Sequence, residues 1–190
     1  MSGTRAFLAL NLPDDAVRSA AEVVTRMRER LGEREVKWVA AENLHLTLRF
    51  FGELDPEALQ RARDFVRAAD GGWEAIATGW SGLGAFPSVR RAQVIWLGIA
   101  DERGELRALA AEVERGLVQA GFGSGDKPFA AHVTLGRVRR DARVVWPSDS
   151  ERLTLPGSTF SIMRMALIKS TLTPSGPVYA PLETAAAHSS

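Results

Sequence analysis

Two of the three histidines in the sequence sit in the same four-residue frame. His45-Leu46-Thr47-Leu48 and His132-Val133-Thr134-Leu135 each place an imidazole two residues before a hydroxyl. An imidazole has a pKa of about 6.5, so near neutrality it can either give or take a proton. A threonine hydroxyl donates to an anionic oxygen. On an extended strand, alternation sends His45 and Thr47 to one face and Leu44, Leu46, Leu48 and Phe50 to the other. His132 and Thr134 likewise share a face, with Val133 and Leu135 opposite. Two such pairs across a cleft would supply one acid, one base and two donors to non-bridging phosphate oxygens. That set suits in-line hydrolysis of a phosphodiester and needs no metal. The plainer use of these residues is structural, as half-buried strand histidines and β-branched strand formers. With Thr at 10 and Leu at 20 of 190 residues, recurrence of both at the same offsets from two of three histidines points to a repeat. His188 lacks these neighbours and is assigned no role.

The elements that must position these groups follow from periodicity. Residues 5–12 form a continuous apolar run closed by Pro13, which predicts a buried strand. Asp14 or Asp15 then caps a helix to Leu31, with Val17, Ala20, Val24, Met27 and Leu31 on one face and Gly32 as its stop. A short strand is expected at 36–39 and a longer one at 44–51. A second helix opens at Asp55-Pro56 and ends before Gly71-Gly72. Residues 73–80 have strand character, and 81–88 form a Gly/Pro/Ser-rich connection. A strand at 91–99, a helix at 101–120 and a strand at 129–138 follow. Residues 139–157 resist assignment, 159–172 alternate as a strand with a bend, and 184–190 are expected to be a disordered tail.

The two motifs are 87 residues apart. The same offset lays strand 5–12 on 92–99 and helix 14–31 on 101–118. Motif and element order agree, which predicts an internal duplication: two lobes of strand, helix and motif strand facing each other about a pseudo-twofold axis. The expectation is a single bilobal domain over residues 1–183.

Composition narrows the chemistry. The chain has 190 residues, 45% of them hydrophobic and 25% charged, which is ordinary for a globular protein. It has no cysteine, so disulfides, thiolate metal sites and a cysteine nucleophile are excluded. The apolar run at the N-terminus is too short for a signal peptide or a membrane span, which leads to the expectation of a cytoplasmic protein. The formal net charge is +1, so no global field announces nucleic acid. Arginine outnumbers lysine by 21 to 3. That bias fits genomic base composition as well as phosphate binding by guanidinium groups, and composition does not choose between them.

Further residues extend the pattern: Arg5-Ala-Phe7-Leu-Ala9, Asn43 through Gly52 around the first motif, Gly84-Ala-Phe86-Pro87, Ala131 through Arg137 around the second, Ser170-Thr-Leu172, and Gly176-Pro-Val-Tyr179. Together with two His-x-Thr-x motifs in a chain of this size, they make the sequence resemble the two-histidine (2H) phosphoesterase superfamily. Within it the sequence is similar to RNA 2′,3′-cyclic phosphodiesterases of the LigT/ThpR type. The resemblance implies a bilobal α+β fold with antiparallel sheets facing a central groove and helices packed outside. It implies hydrolysis of a terminal 2′,3′-cyclic phosphate on RNA to a 2′-phosphate, with no cofactor and no metal. The expected substrates are RNA ends, tRNA fragments or small cyclic nucleotides, handled by a monomer without a membrane. By the resemblance, His45 is the general acid for the 3′ oxygen and His132 the base for water. Thr47 and Thr134 hold the phosphate, and Arg137 binds substrate. The same motifs also fit a 2′–5′ RNA ligase, a 2′–5′ oligonucleotide phosphodiesterase, or a non-enzymatic nucleotide-binding module.

Several positions carry tensions of their own. Arg137 is five residues past His132, so an ideal strand would turn it to the opposite face; a bulge at Gly136 would bring it back. Arg49 has the parity of the cleft and is a second candidate cation. Arg137, Arg139, Arg140 and Arg143 read as a phosphate track or as a charged loop. Phe86 and Trp38 could stack a base or pack a core.

Overall fold

A computed structural model describes residues 3–147, 157, 159–174 and 176–188. Of residues 139–157, which the sequence left unassigned, 139–147 form an irregular connection and 148–156 lie outside the described residues. The elements in chain order are β1 (Thr4–Asn11), α1 (Asp14–Leu31), β2 (Val36–Trp38), β3 (His45–Leu54), α2 (Pro56–Ala68), β4 (Ile76–Thr78), β5 (Trp80–Phe86), β6 (Val94–Ile99), α3 (Glu105–Gln119), β7 (His132–Val138), β8 (Phe160–Ile162), β9 (Arg164–Thr173) and β10 (Gly176–Ala186). Among the described residues no helix is long and apolar enough to cross a membrane.

The main sheet runs β10-β9-β1-β3-β7-β6-β5, with β2 paired to β7, and each of these pairings is antiparallel. It consists of two half-sheets. One is β10-β9-β1-β3 and the other is β2 and β5 with β6-β7 between them. Among the described residues they meet through a single registered pair, Leu46 opposite Val133. The α+β architecture with helices on one side of antiparallel sheet is as expected. The helices cross over between halves: α1 packs against β2 and β7, whereas α3 packs against β3 and α2. One apolar cluster draws on both halves, including Leu10, Met27, Leu46, Ile95, Leu117 and Leu135.

Helix α1 starts one residue earlier than a capped helix would. Its N-cap position is Pro13, which makes no side-chain cap, while the Asp15 carboxylate accepts from the Ala16 N–H at 2.8 Å from within the first turn. Asp14 and Asp15 both lie in that turn, where negative charge complements the helix dipole. The Asp55 carboxylate does cap α2, accepting from the Ala58 N–H at 2.7 Å, with Pro56 at the first helical position.

Two strands escaped the sequence reading. Residues 81–88, read as a connection, are largely β5. The glycines there are not turn formers. A Cβ on Gly84 would lie 2.2 Å from Cζ2 of Trp96, so the bare backbone lets that indole lie flat across the neighbouring strand. The second is β10, which contains Pro177 and Pro181. It is an edge strand paired only with β9, where a missing N–H can face outward. Its length corrects the expectation of a disordered tail from 184: the strand continues to Ala186, Ala187 is buried, and the His188 N–H donates to the Trp73 carbonyl at 2.7 Å.

Substituting Gly84→Ala is expected to lower stability by about 1–3 kcal/mol through overpacking against Trp96. Urea unfolding measures it, and an unchanged midpoint would contradict the flat seating of the indole.

Candidate active site

The Leu46–Val133 pair decides what faces what. Leu46 and Val133 are fully buried on the helix side of the sheet. Their flanking residues therefore point to the opposite face of the sheet. Antiparallel register about this pair sets His45 opposite Thr134 and Thr47 opposite His132. The two His-x-Thr motifs thus lie side by side, head to tail, about a local twofold axis.

Each imidazole is held the same way. His45 Nδ1 lies 2.7 Å from the Asn43 carbonyl, and His132 Nδ1 lies 2.8 Å from the Ala130 carbonyl. A carbonyl can only accept, so Nδ1 carries the proton in both rings. Nε2 is left as the working atom, a base when the ring is neutral and an acid when it is charged. The Asn43 side chain also donates to the Pro177 carbonyl, tying the approach to His45 to β10. Neither Thr47 nor Thr134 spends its hydroxyl on another described residue.

Aromatic rings wall both imidazoles. Phe7 and Tyr179 stand 4.7 and 5.5 Å from the His45 ring, and Phe86 and Trp96 stand 5.1 and 6.2 Å from the His132 ring. Burial among them pushes both histidine pKa values below the ordinary 6.5. The bonds to the Asn43 and Ala130 carbonyls push back. The positive field of Arg137 lowers both further, and His132 adds to the lowering at His45. Burial raises the Tyr179 hydroxyl, opposed by Arg137 and Arg5.

Arg137 therefore sits within electrostatic reach of both imidazoles and of Tyr179. A bulge puts it there: Trp96 pairs with Thr134 but Ile95 pairs with Gly136, leaving Leu135 as an extra residue on β7. One extra residue reverses the alternation, so Leu135 and Gly136 are both buried and Arg137 rejoins the face of His132.

The same device removes Arg49. Ala9 pairs with Thr47 but Leu8 pairs with Arg49, so Leu48 is the extra residue on β3. Arg49 turns to the helix side, where it donates to both carboxylate oxygens of Glu114 at 2.6 and 2.7 Å. Its side chain is 13% exposed, and it belongs to the scaffold rather than the cleft. Phe50 moves the opposite way. Expected in the core, it lies on the histidine face, 51% exposed and stacked on Phe7. Trp38 is a packing residue: its ring covers Gly136 and its Nε1 donates to the Gly32 carbonyl at 3.0 Å. Phe86 is at the groove, edge-on to His132. Tyr179 was absent from the sequence-derived site. It is the chain's one tyrosine, but nothing marked β10 as the strand that brings it to His45.

An antiparallel sheet of two half-sheets, carrying one His-x-Thr pair from each on a common face, defines a two-histidine phosphoesterase. The match to the family described as the 2′-5′ RNA ligase superfamily spans residues 13–173, and the chain belongs to that family. It is 36% identical to an RNA 2′,3′-cyclic phosphodiesterase of Archaeoglobus fulgidus over 92% of this chain and 96% of that one. It is 32% identical to one of Methanothermobacter thermautotrophicus, over 94% and 96%. Among solved structures, TT0787 of Thermus thermophilus superposes with a TM-score of 0.79 at 31% identity, covering 97% and 98% of the two chains. The E. coli protein LigT shares the fold, with a TM-score of 0.73 at 22% identity over the whole of both chains.

Burial holds the folded-state pKa values of both imidazoles below the unfolded value of about 6.5. The unfolded chain then binds more protons as pH falls through 6.5, so stability is full above that value and declines below it. Thermal melts between pH 7.5 and 5.5 should show this decline, smaller in H45Q/H132Q. An equal decline in the double variant would contradict the lowered pKa values.

Proposed function

We propose that this chain is an RNA 2′,3′-cyclic phosphodiesterase that opens the cyclic phosphate to a 2′-phosphate with its two imidazoles alone. The observation that carries the reading is the matched pair: two Nδ1-anchored histidines, each opposite the other motif's threonine, on one face of the sheet. Full-length similarity to relatives bearing that name supports the substrate class.

In the proposed reaction the cyclic phosphate lies between the motifs. Thr47 and Thr134 donate to its non-bridging oxygens, and Arg137 offsets their charge. His132 Nε2 takes a proton from water as its oxygen bonds to phosphorus. The bond from phosphorus to O3′ breaks, and His45 Nε2 gives O3′ a proton, leaving a 3′-hydroxyl and a 2′-phosphate. The free site disfavours charged imidazole because it is desolvated and already holds Arg137. A bound phosphate anion reverses that balance and lets one ring keep its proton. His45 is the more enclosed ring, between Phe7 and Tyr179, which suits the group facing the leaving oxygen. The more open His132 suits the approach of water. Both rings come from one chain, which supports a monomeric enzyme acting on RNA ends such as tRNA fragments, or on small cyclic nucleotides. The family description favours a second direction for the same chemistry, in which a 5′-hydroxyl replaces water and RNA is joined.

H45A and H132A should each lower kcat about 10²–10⁴-fold on a cyclic-phosphate RNA. The pH profile of kcat/KM should be bell-shaped with its maximum on the acid side of 6.5, since both groups are lowered from that value. Turnover by the double-alanine variant would overturn the assignment.

A further inference from the structure

Past Arg137, at the end of β7, lies a second feature that the cleavage reaction does not use. A cavity of about 790 Å³ opens where the end of β7 meets the turn before β6. Its lining includes Arg90, Arg91, Arg139, Arg140 and Arg143, and no acidic residue. All five side chains are exposed, and none forms an ion pair with another described residue. Elsewhere the described arginines that form ion pairs do so with partners such as Glu114 and Glu183. Five guanidinium groups around one hollow whose lining holds no acidic side chain repel one another at a cost in stability. Such a cluster is compensated when an anion fills it.

The backbone that carries these arginines is tied down. The Val138 and Arg139 N–H groups donate to the carbonyls of Gln93 and Glu35 at 2.9 and 2.8 Å. The Ala142 N–H donates to the Arg139 carbonyl, and the Arg91 N–H to the Ser88 carbonyl, both at 3.0 Å. Two stretches of chain lead from the histidine face to the cavity. Strand β7 carries His132, Thr134 and Arg137 and then enters the cavity at Val138. The turn that bears Arg90 and Arg91 begins directly after Phe86, which faces His132. At roughly 3.3 Å per residue, Val138 stands about 20 Å along the strand from His132. That distance is beyond the reach of the terminal nucleotide and within reach of the ones before it.

We propose that this arginine-lined cavity binds the phosphodiester backbone of the RNA on the 5′ side of the cyclic phosphate, so that the enzyme selects oligonucleotides over cyclic mononucleotides. The proposal rests on the phosphodiesterase reading for the position of the RNA end. Guanidinium groups match phosphate bidentately and read no base, so the selection is by length rather than sequence.

The test compares wild type with R139Q/R140Q/R143Q on two substrates: a ten-nucleotide RNA ending in 2′,3′-cyclic phosphate, and a 2′,3′-cyclic mononucleotide. Each neutralised phosphate contact on a single strand contributes about 0.7 to the slope of log affinity against log salt. The triple variant should therefore lose about 2 from that slope on the oligonucleotide and bind it roughly 100-fold more weakly at 0.1 M salt. Its kcat/KM on the mononucleotide should be unchanged, which also shows that it is folded. Equal effects on both substrates, or a wild type that treats them alike, would overturn the proposal. Affinity for the ten-nucleotide product bearing a 2′-phosphate is measured in parallel by fluorescence anisotropy. If no cyclic phosphate is hydrolysed but the product binds with this salt slope, the cavity assignment stands while the catalytic reading falls. If hydrolysis proceeds without the slope, the reverse holds.

Discussion

One backbone pairing governs the active face of this molecule. Among the described residues Leu46 opposite Val133 is the one registered pair between the two half-sheets, and both side chains are buried in the shared core. Because strand side chains alternate, burying that pair forces His45, Thr47, His132 and Thr134 onto the opposite face together. A slip of one residue on either strand would bury a histidine and expose the core. The hydrophobic effect at these two positions thus fixes the register on which the chemistry depends.

From that pairing the electrostatics follow. Each imidazole projects from an apolar sheet face and is flanked by two aromatic rings, so each is desolvated. Each is also anchored through Nδ1 to a carbonyl two residues earlier, which fixes the tautomer without a carboxylate partner. A carboxylate would hold the ring charged and repel phosphate; a carbonyl does neither. The resulting imidazoles are weakly basic, and Arg137 adds a fixed positive charge beside both of them.

The motif repeat, its 87-residue offset and most of the strands and helices were legible in the sequence because they rest on local periodicity. What was hidden depended on partners. Strand β5 was masked by glycines whose purpose is to seat Trp96, and β10 by prolines that only an edge strand tolerates. The faces of Arg49, Phe50 and Arg137 were set by bulges, and a bulge is a property of two paired strands rather than of one. Arg137 was the exception, because Gly136 beside it marked where the alternation could break. Tyr179 entered the site only with the strand that carries it.

The central claim is that paired imidazoles alone open the cyclic phosphate and expel the 3′ oxygen. Its most direct test is incubation of an RNA ending in 2′,3′-cyclic phosphate with the protein in EDTA, followed by identification of the terminal phosphate. A 2′-phosphate formed at an undiminished rate is the predicted result. A 3′-phosphate product, or turnover lost on chelation, would contradict it.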